Sequence, residues 1–207
     1  MDSPIRQRQP ELFPREPLPG IPTPGREKGI GFARHSPALL KVISGGQTGV
    51  DRAALDAAMA YGIPVGGWCP RARIAEDGLI PKRYPLVETP SEKYPQRTTW
   101  NVRDADATLI ITMGTLDGGS ELSARMADKL AKPCVIVSLR GYPDVAPIRE
   151  LFHLRAGGVV LNIAGPRESR SPGIYGRSFA FLAALFRCSQ PGFNAPASAR
   201  QPPPPRH

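Results

Sequence analysis

Residues 41–56 read KVISGGQTGVDRAALD. An apolar run stops at two glycines and a helix-like run follows within a few residues, the layout of a strand-to-helix turn that holds phosphate. Two stricter patterns are absent. A Walker A loop needs Lys-Ser/Thr after its second glycine, whereas Gly49 is followed by Val50 and Asp51; a dinucleotide fingerprint needs GxGxxG with an acid about 20 residues on. Gly45, Gly46 and Gly49 still let backbone N–H groups approach an anion, and the helix N-terminus adds partial positive charge. Gln47 and Thr48 complete the candidate loop, Thr48 as a hydroxyl donor. A tight turn without a ligand is the simpler alternative. Asp51 reads either as a first-turn acid or as a contact to a ligand hydroxyl or metal, and Arg52 as a phosphate clamp or a solvated residue.

Further along, continuous apolar runs of parallel-strand character occupy 39–43, 107–112, 134–138 and 159–163, with weaker candidates at 64–66 and 86–88. Helical stretches lie between them at 52–61, 96–104, 120–131, 145–155 and 175–187. This alternation predicts an α/β, Rossmann-like three-layer fold with a mostly parallel sheet. Right-handed crossovers then bring every strand's carboxyl end to one edge, where such folds bind ligands. The loops on that edge are GGQTGVD, MGTLDGGSE, LRGYPD and AGPRESRSPG.

In the second of these, Gly118 and Gly119 precede Ser120, which reads as an N-cap, so a second helix N-terminus would add to the anion-binding field. Glu121 is either a dipole-complementing acid or a ligand-facing carboxylate. In the last loop Asn162, Arg167, Glu168 and Ser169 are hard to explain by packing, and Arg167 suits bidentate phosphate recognition. The long run 66–85 carries Trp68 and several charges, and loops of that length tend to be functional or mobile. No Ser-His-Asp set and no metal-ligand spacing can be built, so no metal is expected, and the catalytic candidates are limited to Glu121 and Asp51.

The ends differ from the middle. Residues 1–37 hold eight prolines and 189–207 close in QPPPPRH; both read as Pro-rich disordered tails around a single ligand-binding domain at 38–188. The net charge is +9, but removing the tails' eight basic and four acidic residues leaves 19 basic and 14 acidic in the domain. That surplus suits a small phosphorylated ligand and leaves a nucleic-acid partner open without supporting it. Cys69, Cys134 and Cys188 form no CxxC pair, no signal peptide or membrane span is visible, and a cytoplasmic setting follows. A homo-oligomer is expected.

The segments SGGQTGVDRAALDAA (44–58), GWCPRARIAEDGLIP (67–81), RTTWNVRDADATLI (97–110), GGSELSARMA (118–127) and LNIAGPRESRSPGIY (161–175) together resemble the molybdenum-cofactor carrier family. That family lies in the circularly permuted YpsA-like branch of the SLOG nucleotide-binding superfamily. The resemblance implies a Rossmann-like sheet whose glycine loops hold a phosphorylated ligand, with molybdenum cofactor, a pterin phosphate, as the cargo. By position it assigns phosphate to Gly45, Gly46, Thr48 and Gly49, with Gly118, Gly119 and Ser120 as the second loop; Arg167 is added from its chemistry.

The superfamily also holds Lonely Guy-type phosphoribohydrolases, marked by PGGxGTxxE. The corresponding run here, LDGGSELS, lacks the leading proline and the GT pair, and Glu121 falls too close to the glycines. A third relative binds single-stranded DNA, which would call for stacking aromatics such as Trp68 and Trp100 in a basic groove.

Overall fold

The computed structural model describes residues 39–141, 143–154 and 157–189, and these fall within one compact unit. The two Pro-rich tails lie outside the described residues. Five strands make a parallel sheet: β1 (Leu39–Ile43), β2 (Val65–Gly66), β7 (Ala107–Thr112), β8 (Cys134–Ser138) and β9 (Val159–Ala164), in the order β2-β1-β9-β7-β8. Short pairs make up the rest, β3 (Trp68–Cys69) with β6 (Val87–Glu88) and β4 (Ile74–Ala75) with β5 (Gly78–Leu79). The α/β, Rossmann-like expectation therefore holds, with a five-stranded parallel sheet at its centre.

Central strands are apolar throughout because helices cover both faces. β7 is buried at all six positions. β1 runs through α1 (Val50–Ala60) to β2 on one side, and β7 runs through α3 (Gly118–Lys129) to β8 on the other. Right-handed crossovers in opposite directions place α1 and α3 on opposite faces. α1 packs on α5 (Ile174–Ser189), and α2 (Tyr94–Asp104) packs on α3. Val42, Leu109, Leu161 and Ile163 of the sheet pack in one core with Ala54 and Ala57 of α1, Ile148 of α4 (Ala146–Leu151) and Leu182 and Phe186 of α5. β8 is an edge strand, with Ile136 half exposed.

The helices begin and end a residue or two from their expected places. The exception is α4, which covers six residues where eleven at 145–155 were expected. A larger difference lies at 66–88. The expected strand at 86–88 exists as β6 but pairs with β3 outside the central sheet. The long run before it is built rather than loose. Leu55, Cys69, Ala75, Ile80, Tyr84 and Leu86 form a second small core. Arg73 donates to four backbone carbonyls, those of Ile80, Pro81, Tyr84 and Leu86, at 2.9–3.1 Å, which holds the segment over α1. Charge-assisted bonds of this kind replace the ladder that two-residue strands cannot supply.

Candidate functional site

β9 lies between β1 and β7, so the loops after all three strands meet at their carboxyl ends. They enclose a cavity of about 260 Å³. Gln47 reaches it from the first loop; Asp117, Gly118, Gly119 and Ser120 from the start of α3; Gly165, Pro166, Arg167 and Arg170 from the loop after β9; and Tyr94 and Arg97 from α2.

The glycines of the first loop are accounted for by their neighbours. A side chain on Gly45 would coincide with the Arg97 guanidinium, and one on Gly46 would press on Leu86 and Ile80. Gly49 has φ +73°, and a Cβ there would lie 2.5 Å from the Pro166 carbonyl oxygen and 2.8 Å from the Glu168 nitrogen. First-loop amides are also engaged. Gln47 N–H donates to Asp51 Oδ2 at 3.3 Å, Thr48 N–H to Gln47 Oε1 at 3.0 Å and Val50 N–H to the Pro166 carbonyl at 3.2 Å.

The second glycine pair is different. α3 begins at Gly118, two residues before the expected N-cap, so Asp117 precedes the helix and Ser120 sits within its first turn. A Cβ on Gly118 or Gly119 would meet nothing within 4 Å. Their N–H groups have no hydrogen-bond partner among the described residues. Free first-turn amides facing open space are where an anion is stabilised, by N–H donation and by the helix dipole.

Asp51 and Arg52 do not line this cavity. Asp51 is buried beneath it and pairs with Arg97, Nη1 to Oδ2 at 2.8 Å, with side-chain exposures of 4% and 12%. Arg97 Nε is buried without a partner among the described residues. Arg52 instead grips Asp77 through two guanidinium nitrogens at 2.5 and 2.7 Å. Glu121 is exposed and also lies off the cavity wall. The carboxylate that does line it is Asp117, whose Oδ2 stands 3.8 Å from Arg170 Nε.

Thr48, Gly49 and Arg52 face a wider hollow of about 650 Å³ on the other side of the first loop. There Asp56 accepts hydroxyl hydrogen bonds from Tyr84 and Tyr175 at 2.9 Å; burial, followed by the bond to Asp56, pushes the Tyr84 hydroxyl up to about 12. Glu76 lines the same hollow. It accepts from the Thr48 hydroxyl, from Ser169 N–H at 3.1 Å and from the Ser169 hydroxyl, and lies 3.4 Å from Arg167 Nε. Burial raises its carboxyl, but the Ser169 and Thr48 bonds and the Arg167 charge outweigh that and hold it below its ordinary 4.5. A depressed carboxylate stabilises the folded state above its unfolded value, and that stabilisation fades as pH falls through the folded value. Denaturation of the wild type and of Glu76→Gln is therefore expected to converge below about pH 4.5, with the wild type the more stable above it.

Three of the polar residues in the last loop have structural partners. Asn162, in β9, is buried and donates to the Thr108 hydroxyl of β7 at 3.3 Å. Glu168 accepts N–H bonds from Gly173 and from Tyr175, the latter at 3.0 Å, and so closes the start of α5. Ser169 belongs to the Glu76 cluster. Trp68 and Trp100 pack edge to face at 4.7 Å, with the Trp68 indole N–H donating to Asp104 at 2.6 Å, and neither lines the cavity.

The model of the circularly permutated YpsA SLOG family matches residues 42–186. The chain belongs to that family. A crystal structure of a protein from Syntrophus aciditrophicus, provisionally named a molybdenum carrier protein, aligns with a TM-score of 0.63 and 43% sequence identity over 72% of this chain and 96% of that one. No curated protein matches the sequence. In this member of the SLOG family, no helix among the described residues is long and apolar enough to cross a membrane, and no group of three or more His, Cys, Asp or Glu among them could hold a metal ion.

Tyr94, Arg97, Asp117 and Arg170 were not singled out from the sequence. Arg97 carries a usable signal, since Arg97 and Asn101 lie four apart on α2 with both mostly buried. Polar side chains on the inward face of an amphipathic helix need partners.

Proposed function

We propose that this protein binds a phosphorylated heterocycle, with molybdenum cofactor as the cargo, and holds it without cleaving it. The observation that carries this reading is the cavity at the start of α3. There Gly118 and Gly119, whose amides have no partner among the described residues, share the lining with Arg97, Arg167 and Arg170. In this account the phosphate sits on the first turn of α3, and Arg167 and Arg170 close over it as charge-assisted donors. The first loop supports the site from below: Gln47 reaches the cavity, Gly45 and Asp51 make room for and pair with Arg97, and Gly46 and Gly49 allow close packing on Leu86, Ile80 and Pro166. Thr48 and Arg52 hold the loop to Glu76 and Asp77. The name of the Syntrophus aciditrophicus structure supports a molybdenum-linked cargo.

Cleavage of an N-glycosidic bond would need a carboxylate beside the sugar. Asp51 is committed to Arg97 and Glu121 does not line the cavity, so neither expected catalytic carboxylate is free there; Asp117 does line it, with Arg170 Nε 3.8 Å away. Incubation with a panel of nucleoside monophosphates and with molybdopterin separates the readings. Carriage predicts retention of the intact ligand after gel filtration and no free base by chromatography. Release of free base, abolished by Asp117→Asn or Glu121→Gln, would establish the enzyme instead.

A further inference from the structure

The cavity at the start of α3 has a neighbour. A second lobe of about 230 Å³ is lined by Gly114 and Thr115 after β7, Arg140 after β8 and Ser171, and shares Asp117, Ser120, Pro166 and Arg170 with the first. We infer that the site takes a ligand carrying two linked phosphoryl groups, a diphosphate ester of the nucleoside-diphosphate or dinucleotide class, with one phosphoryl in each lobe. The inference rests on the phosphate reading above and extends it: the heterocycle's own phosphate is one of the pair, and the second links it to a further group.

Three features support a second anion. Ser120 is 3% exposed and lines both lobes, yet its hydroxyl has no hydrogen-bond partner among the described residues. The hydroxyl reaches the solvent of the cavity, and from the shared wall it can donate to an oxygen joining two groups. Arg140 holds its guanidinium across Gly114, 3.3 Å from where a Cβ would stand, with no carboxylate partner among the described residues. Arg170 stands on the shared wall, and its acidic neighbour Asp117 is 3.8 Å away. A single phosphate on Gly118 and Gly119 would leave Arg140 facing no anion, whereas a bridged pair gives Arg140, Arg170 and Arg167 each an oxygen. Asp117 is the carboxylate on the shared wall, and it excludes a second anion unless Arg170 offsets it.

Calorimetric titration of the full chain with inorganic orthophosphate and pyrophosphate at fixed ionic strength tests this. Pyrophosphate is expected to bind at least about ten-fold more tightly, the size of one added charge-assisted contact. Arg140→Ala is expected to erase most of that preference, weakening pyrophosphate far more than orthophosphate, and Arg140→Lys to restore part of it. Equal affinity for the two anions, or an Arg140→Ala loss equal for both, would overturn the two-phosphoryl site while leaving the single-phosphate reading intact. Failure of both anions to bind would instead remove the phosphate reading, and this inference with it.

Discussion

Asp51→Asn is expected to destabilise the protein by about 3–5 kcal/mol, because it leaves the Arg97 charge buried without its counter-ion. For a folded region of roughly 150 residues that lowers Tm by about 10 °C. The change is isosteric, and the new amide oxygen can still accept from Gln47 N–H, so the loss isolates the ion pair. The comparison is Asp77→Asn, which breaks the Arg52 pair at a position where Asp77 is 47% exposed; solvent screening keeps that effect under about 1 kcal/mol. Gly45 reports on the same pair. Gly45→Ala would drive the Arg97 guanidinium off Asp51, whereas in an Arg97→Ala background the added methyl enters vacated space. The two changes are therefore expected to be strongly non-additive, with Gly45→Ala costing far less in the second background. Thermal unfolding of the two single variants and the double variant measures the coupling, and additivity would show that Gly45 and Arg97 do not meet.

Gly119→Val separates binding from folding. A Cβ at Gly119 meets nothing within 4 Å, its φ is not positive, and Val has the higher helix propensity, so the stability of the folded protein is expected to change by less than about 1 kcal/mol. The same side chain fills the space in front of the α3 amides, where the account seats the phosphate. Affinity for a phosphorylated ligand is expected to fall at least about a hundred-fold, since displacing an anion from those amides also removes its arginine contacts. Gly49→Ala gives the opposite outcome. Its positive φ and the Pro166 carbonyl make it a folding defect first, whatever its effect on binding.

The strand–glycine–helix stretch at 41–56 and the alternation around it place the sheet, because buried parallel strands are continuous apolar runs that survive in any context. Gly118, Gly119, Ser120 and Arg167 stand out in the sequence by type and position, and all four line one cavity. What the sequence leaves hidden is the direction each loop atom faces. Gly45, Gly46 and Gly49 carry the same signal as Gly118 and Gly119, yet the first three fit against side chains or backbone and the latter two against open space. That distinction depends on Arg97, Leu86 and Pro166 arriving from elsewhere in the chain. Arg97 was missed for the same reason, its partner Asp51 being 46 residues away. The segment 66–88 looked irregular because its order comes from Arg73 binding carbonyls and from a six-residue core, neither of which has a sequence period.

Everything proposed for the cavity depends on the chain holding an intact phosphorylated ligand at the first turn of α3. Native mass spectrometry of protein purified without denaturation, for the wild type and Gly119→Val, tests it most directly. A wild-type adduct is expected whose released mass contains phosphate and an intact heterocycle, reduced to background in Gly119→Val. An adduct of equal occupancy in both proteins, or a wild type that neither carries an adduct nor acquires one from molybdopterin or the nucleotide panel, would contradict it.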